Sequence, residues 1–139
     1  SFSNNCAPLT SQGRQGNVKV LSWNVAGISH KLYDSERVSF VDTYDICIFQ
    51  ETWSLSDVFR TGYTNYCVHA SSSGRGRPSG GLTIWIKTSL QCKVKTFTTN
   101  SPGLLGLKLE AILEKPIFLF NIYSRIGKGR EGSRTIHYL

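Results

Sequence analysis

Ile46-Cys47-Ile48-Phe49-Gln50-Glu51-Thr52-Trp53 is the stretch on which the fold turns. An apolar run from Ile46 to Phe49 stops abruptly at an amide and a carboxylate. A buried strand that ends this way carries an acidic group to the mouth of a cleft in α/β proteins. Val18-Lys19-Val20-Leu21-Ser22-Trp23-Asn24 has the same shape, a β-rich run closed by an amide. Between them, Asn24 to Ser29 reads as a loop around Gly27. Asp34 or Ser35 can cap a short helix over 35–43, with Val38 and Val41 on its inner face. Strand, helix and strand in about 32 residues is the length of one βαβ unit, which predicts parallel neighbours. That pairing would put Asn24 and Glu51 at the same, carboxyl edge of a sheet.

After Trp53 the rhythm changes. Residues 53–60 read as a loop with a turn of helix, and 63–70 as a strand. A Gly/Ser loop covers 71–81. Strands are predicted at 82–87, near 92–98, at 105–113 and at 117–123, separated by tight turn signals such as Asn100-Ser101-Pro102-Gly103. The predicted fold class is α/β, with one mixed, mostly antiparallel sheet of about six strands and one or two helices on one face. Residues 1–17 read as a disordered leader or linker. Residues 124–139 read as a basic, glycine-containing tail without periodicity.

The chain has 139 residues and a net charge of +7, with a pI near 9.4. That charge predicts a polyanionic partner, nucleic acid before membrane, because no basic amphipathic helix is visible. Apolar runs are far shorter than the ~20 residues that cross a bilayer. Cys6, Cys47, Cys67 and Cys92 form no C-x-x-C pair, and no His stands at the usual zinc spacing from them. Reduced intracellular thiols are the expectation. Gly127-Lys128-Gly129-Arg130-Glu131-Gly132 matches G-x-G-x-x-G. Too few residues follow for the helix and second strand that a dinucleotide site needs, so no nucleotide cofactor is expected.

Several residues carry two readings. Asn24 with Glu51 suits a hard cation, which takes oxygen ligands and is held by one or two carboxylates. From spacing alone the plainer reading, a surface glutamate and a turn asparagine, is favoured. Arg75 and Arg77 can contact nucleic-acid phosphates. Their loop is also a hairpin connection that needs positive φ at Gly80 or Gly81. Trp53 can stack on a base or wall the core. His30 and His69 read as loop or surface residues, Trp23 and Trp85 as core.

The motifs in order change those odds. Val20-Leu21-Ser22-Trp23-Asn24-Val25-Ala26-Gly27, then Tyr44 to Trp53, then Ser79-Gly80-Gly81-Leu82-Thr83-Ile84-Trp85, then Asn121-Ile122-Tyr123, resemble the amino-terminal half of the endonuclease/exonuclease/phosphatase family. Lys31-Leu32-Tyr33-Asp34 and Gly76-Arg77-Pro78-Ser79-Gly80-Gly81 resemble its branch in the apurinic-like endonuclease domain of non-LTR retrotransposons. The resemblance spans 18–123. It implies half of a four-layer, DNase I-like α/β sandwich, with the site at one rim between two sheets. It implies a DNA endonuclease activity with Mg²⁺ or Mn²⁺. Glu51 and Asn24 would be metal ligands, and Asn24, Glu51 and Tyr123 would be catalytic, Tyr123 positioning the phosphate. Arg75, Arg77 and Trp53 would bind nucleic acid.

The same resemblance implies groups that these residues do not supply. The family's Asp-x-Asn and late Ser-Asp-His both need an aspartate, and none follows Asp57. The expectation is therefore a truncated domain, inactive alone. Its partners would be DNA and the missing carboxy-terminal half or a reverse transcriptase domain, and its place intracellular, nuclear if functional. An apolar sheet face would be left open without the second sheet. A non-catalytic nucleic-acid-binding remnant, or a family phosphoesterase acting on another substrate, is the alternative.

Overall fold

The computed structural model describes residues 18–72, 74–97, 99–112 and 114–124, and the main chain of 134–138. The leader reading of 1–17 and the glycine pattern at 127–132 lie outside them. The elements run β1 (Lys19–Asn24), α1 (Ile28–Lys31), α2 (Ser35–Asp42), β2 (Ile46–Gln50), β3 (Tyr63–Val68), β4 (Leu82–Lys87), a 3-10 turn (Thr88–Leu90), β5 (Lys93–Phe97), β6 (Leu104–Glu110), β7 (Ile117–Ile122) and β8 (Arg134–Tyr138).

The chain is mixed α/β, and its strands form two sheets rather than one. The first has the order β3-β4-β2-β1-β8 and the second β5-β6-β7. β1 and β2 pair in parallel, as the βαβ spacing predicts, with Asn24 opposite Gln50. β4 pairs antiparallel to β2 and β3. β2 and β4 occupy interior positions, which accounts for the apolar run Ile46–Phe49 and for the burial of Leu82 to Ile86, Thr83 included: a strand covered on both faces has no solvent side to keep polar.

The two faces of the first sheet meet different layers. On one, Leu21, Trp23, Val25, Cys47, Phe49 and Trp85 pack with Ile28, Val41 and Tyr44 from the helical segment. On the other, Val20, Ile46, Ile48, Leu82, Ile84 and Ile86 pack against Leu105, Leu107 and Leu109 of β6. The order is therefore helices, five-stranded sheet, three-stranded sheet. Trp23 and Trp85 are core residues as expected, 5% and 1% exposed.

Four local expectations are corrected. Asn24 to Ser29 is not all loop, since Ile28–Lys31 makes one helical turn. Residues 53–60 hold no helical turn; the Ser54 hydroxyl bonds the Ser56 carbonyl instead, a local competitor of helix. The tail read without periodicity includes a strand, Arg134–Tyr138, which pairs antiparallel with β1. The open apolar face is not on the first sheet, which the second sheet covers. It lies on the outside of the second sheet, where Phe97, Phe118, Phe120 and Ile122 are exposed. Phe97 and Phe120 flank Gly106 in register, and their rings stack 6.4 Å apart over the space that its missing side chain leaves.

Asp34 is the cap of α2, its carboxylate accepting from the Glu36 amide at 2.9 Å. No helix among the described residues is long and apolar enough to cross a membrane.

Candidate active site

The carboxyl ends of β1 and β2 form a rim whose backbone is tightly specified. Parallel bonding continues past the strands: the amides of Val25, Gly27 and Ile28 donate to the carbonyls of Gln50, Glu51 and Thr52 at 3.0, 2.9 and 3.0 Å. The amides of Thr52 and Trp53 donate in turn to Gly81 and Gly80. The rim is thus a layer of three loops, 25–28, 51–53 and 79–81, stitched side by side.

That stitching holds residues in the left-handed region. Ala26, Glu51 and Trp53 have φ of 48°, 56° and 57°, each at a cost of about 1–3 kcal/mol. Gly81 has φ of 95°, and a Cβ there would fall on the Thr52 hydroxyl, so neither conformation nor space admits a side chain. Strain of this kind persists only where surrounding structure over-determines it, and it concentrates at functional sites.

Glu51 is half-buried, with both carboxylate oxygens engaged. Oε2 accepts from the Trp53 indole at 3.0 Å and Oε1 from the Gly80 amide at 3.2 Å. A carboxylate oxygen has two acceptor sites, so each retains one. Asn24 is half-buried at the end of β1, and its Oδ1 is a buried acceptor with no hydrogen-bond partner among the described residues. A buried polar atom left so calls for a water, an ion or a ligand. The two residues end adjacent strands but share no hydrogen bond.

Tyr123 follows β7 in the other sheet, tied by its amide to the Gly103 carbonyl at 2.9 Å. It shares with Gly80 and Gly81 the lining of a cleft of about 410 Å³, together with His69, Ser79 and Ser101. The cleft therefore spans the two sheets at the rim that carries Glu51. Asn24 and Glu51 are not in its lining, and Glu51 is tied to it through the Gly80 amide. Arg77 lies over the Trp53 ring, 4.0 Å from its centre, a cation–π contact. Trp53 thus bonds Glu51 through its edge while one ring face carries a cation. Arg75 is exposed in the same loop. Gly80 and Gly81 both have positive φ, as a hairpin connection needs, so the loop is both a built turn and a carrier of arginines.

Sequence reading missed the polar groups beneath the rim. Asn121, 1% exposed, reaches from β7 across the sheets to the carbonyls of Phe49 and Thr83 and accepts from Gln50 at 2.8 Å. Gln50 also approaches Ser22 Oγ at 3.3 Å. The available signal was an asparagine in an inward-facing strand position, where only a hydrogen-bonded polar group survives.

The donors at this rim are oxygens of an amide and a carboxylate, with a basic stack beside them and a phenol across the cleft. Such a set suits a hard divalent cation and an anionic ligand, and it contains no nucleophile–base pair. Comparison of the sequence with protein-family models and with curated proteins gives no match.

Proposed function

We infer that this chain carries the metal-holding part of a phosphodiesterase site, as a DNase I-like endonuclease domain of the non-LTR retrotransposon type. The observation that carries the reading is the buried Asn24 Oδ1, without a hydrogen-bond partner among the described residues, on the strand beside Glu51. Support also comes from the packing of two sheets with Tyr123 at the rim between them. In the four-layer arrangement that this reading implies, a further layer would cover Phe97, Phe118, Phe120 and Ile122.

The residues fit the implied cation. Asn24 and Glu51 offer oxygens alone, as Mg²⁺ or Mn²⁺ requires, and such ions take only one or two carboxylates with the rest from water and phosphate. Glu51 and Asn24 would hold it, and the chemistry supplied there is polarisation of a phosphoryl oxygen. Trp53 and the Gly80 amide orient the Glu51 carboxylate. Tyr123 donates one directed hydrogen bond to a phosphate oxygen. Arg77 and Arg75 attract the nucleic-acid backbone. No aspartate follows Asp57, so the general-base and nucleophile-orienting groups must come from elsewhere.

Mn²⁺ binding, followed by the loss of the free-ion electron paramagnetic signal, tests this. Glu51→Gln and Asn24→Ala are each expected to weaken binding at least tenfold, with Glu36→Gln unchanged. Wild-type affinity in Glu51→Gln would refute the assignment.

A further inference from the structure

Three donor side chains converge outside the rim strands, and the Glu51 reading does not use them. Cys67 and His69 are two residues apart at the end of β3, so they project to one face of the strand. Asp57 is brought to them by the preceding loop. The Ala70 amide donates to the Ser54 carbonyl at 2.7 Å, and the Ser54 hydroxyl closes a turn by donating to Ser56 at 2.6 Å. Cys67 Sγ and His69 Nε2 then meet the same oxygen, Asp57 Oδ1, at 2.9 and 2.6 Å. The three donor atoms all lie within 4.8 Å of one another.

We propose that Asp57, Cys67 and His69 form a site for a thiophilic divalent cation, Zn²⁺ above all, with a fourth position open to solvent. Sulfur, imidazole nitrogen and carboxylate oxygen are the three ligand types that Zn²⁺ takes. A thiolate selects such an ion over Mg²⁺. The His69 and Asp57 side chains are 50% and 43% exposed, so an ion enters directly from water. The Asn65 amide approaches Cys67 Sγ at 3.8 Å and is placed to support negative charge on sulfur.

The present separations are hydrogen-bond lengths. Tetrahedral Zn²⁺ with ligand bonds of about 2.0–2.3 Å separates its donors by about 3.3–3.7 Å. Binding therefore replaces the bridging protons, lengthens both Asp57 contacts by under about 1 Å and sets Sγ and Nε2, now within 4.8 Å, about 3.5 Å apart, which the exposed loop around Asp57 can absorb. The Cys67 proton leaves to solvent, and His69 binds through Nε2 with its proton on Nδ1, so affinity rises with pH. Nucleophilic catalysis is the other common use of a cysteine near a histidine. The Cys67 hydrogen bond goes to Asp57 instead, and burial pushes the thiol up to about 11, which leaves it a poor nucleophile at neutral pH. His69 also lines the rim cleft, so the ion would stand at its edge.

The test uses the full chain, stripped of metal with a chelator. Zn²⁺ is titrated in competition with a chromophoric chelator, and Co²⁺ binding is followed by absorption. One equivalent should bind, and Co²⁺ should give tetrahedral d–d bands with a thiolate-to-cobalt charge-transfer band. Cys67→Ser should abolish that band, and His69→Gln and Asp57→Asn should each weaken Zn²⁺ at least tenfold. Cys92→Ser and Glu51→Gln should leave Zn²⁺ binding unchanged, and excess Mg²⁺ should not displace it. Absence of stoichiometric binding, or a charge-transfer band that survives Cys67→Ser, overturns the proposal. If Cys67→Ser does not fold by circular dichroism, unchanged Zn²⁺ affinity in both exposed-side-chain variants overturns it equally.

Discussion

Asn121 Nδ2 donates to the main-chain carbonyl of Phe49 at 2.9 Å, from one sheet to the other. The same nitrogen reaches the carbonyl of Thr83 at 3.2 Å, and Phe49 and Thr83 are register partners on β2 and β4. One amide therefore clasps two central strands of the first sheet from β7 of the second. It sits two residues before Tyr123 and beside Gln50, the partner of Asn24. The spacing of the rim between Glu51 and Tyr123 thus rests on a polar clasp inside an otherwise apolar interface.

Truncating that clasp should be costly. Asn121→Ala leaves buried carbonyls and the Gln50 amide short of a partner, and each such loss costs about 1–3 kcal/mol. A total loss of about 2–4 kcal/mol in urea unfolding is expected. Ser22→Ala removes only a long contact to Gln50 and should cost under about 1 kcal/mol. An unchanged midpoint in Asn121→Ala would show that apolar packing alone joins the sheets.

The glycines of the 71–81 loop should separate by space, not by conformation. Gly74 and Gly81 both have positive φ, at 87° and 95°. A Cβ at Gly74 meets nothing within 4 Å, whereas one at Gly81 falls on Thr52 and stands 3.3 Å from the Trp53 nitrogen. Gly74→Ala should cost about 1–2 kcal/mol, the left-handed penalty alone. Gly81→Ala adds a clash with the Thr52 hydroxyl and a tight contact with the Trp53 main chain, and should exceed about 3 kcal/mol. Equal losses on thermal unfolding would mean that the 51–53 loop yields freely.

How much of this was legible in the sequence differs by element. Leu82 to Lys87 was read with its correct ends, because a run apolar on both faces has one physical meaning in an interior strand. Assigning strands to sheets was harder. The inward residues Leu105, Leu107 and Leu109 look the same whether they pack beside Ile84 in one sheet or across from it in another. Alternation reports a face, not the neighbour. Asn24, Glu51 and Tyr123 were placed at strand ends, where they stand. The left-handed turn at Glu51 was not readable, since its bonds to Trp53 and Gly80 arise only once three loops are aligned. Cys67 and His69 show their common face in the sequence. Asp57 joins them only through the return of the Ser54 loop, ten residues upstream of Cys67.

Cys47 gives a pH prediction. Burial pushes its thiol from 9.0 up to about 12, and its Sγ faces the Val41 carbonyl at 3.7 Å. The folded state therefore keeps the proton where the unfolded chain gives it up. Its stability contribution is fully present below pH 9 and is lost as pH rises toward 12. In that window one such proton is worth roughly 1.4 kcal/mol per pH unit. Cys47→Ala should be the less stable protein at pH 7, by about 1 kcal/mol or more. It should also lose less stability between pH 9 and 10.5 than the parent. Parallel losses of the two proteins in urea unfolding would remove Cys47 as a source of the alkaline slope.

The inferred phosphodiesterase role makes two claims that separate binding from cleavage. Arg77 carries a cation over Trp53, and a phosphate contact contributes about 0.9 to the salt slope of duplex binding. Arg77→Ala should weaken DNA binding at all sequences and lower that slope by about 1, as a backbone contact does. Arg77→Lys keeps the charge but loses the planar stack, so it should restore the slope better than the affinity. Glu51→Ala removes a negative charge from the rim and should leave DNA affinity unchanged or tighter. Cleavage is another matter, because that role has Asn24, Glu51 and Tyr123 bind and orient and assigns none of them the activation of a water. Supercoiled plasmid incubated with the chain and Mg²⁺ should stay intact. Nicking that Glu51→Ala abolishes would show that the activating group lies within these residues. DNA affinity indifferent to both salt and Arg77 would remove nucleic acid as the partner, and with it the endonuclease reading of the rim.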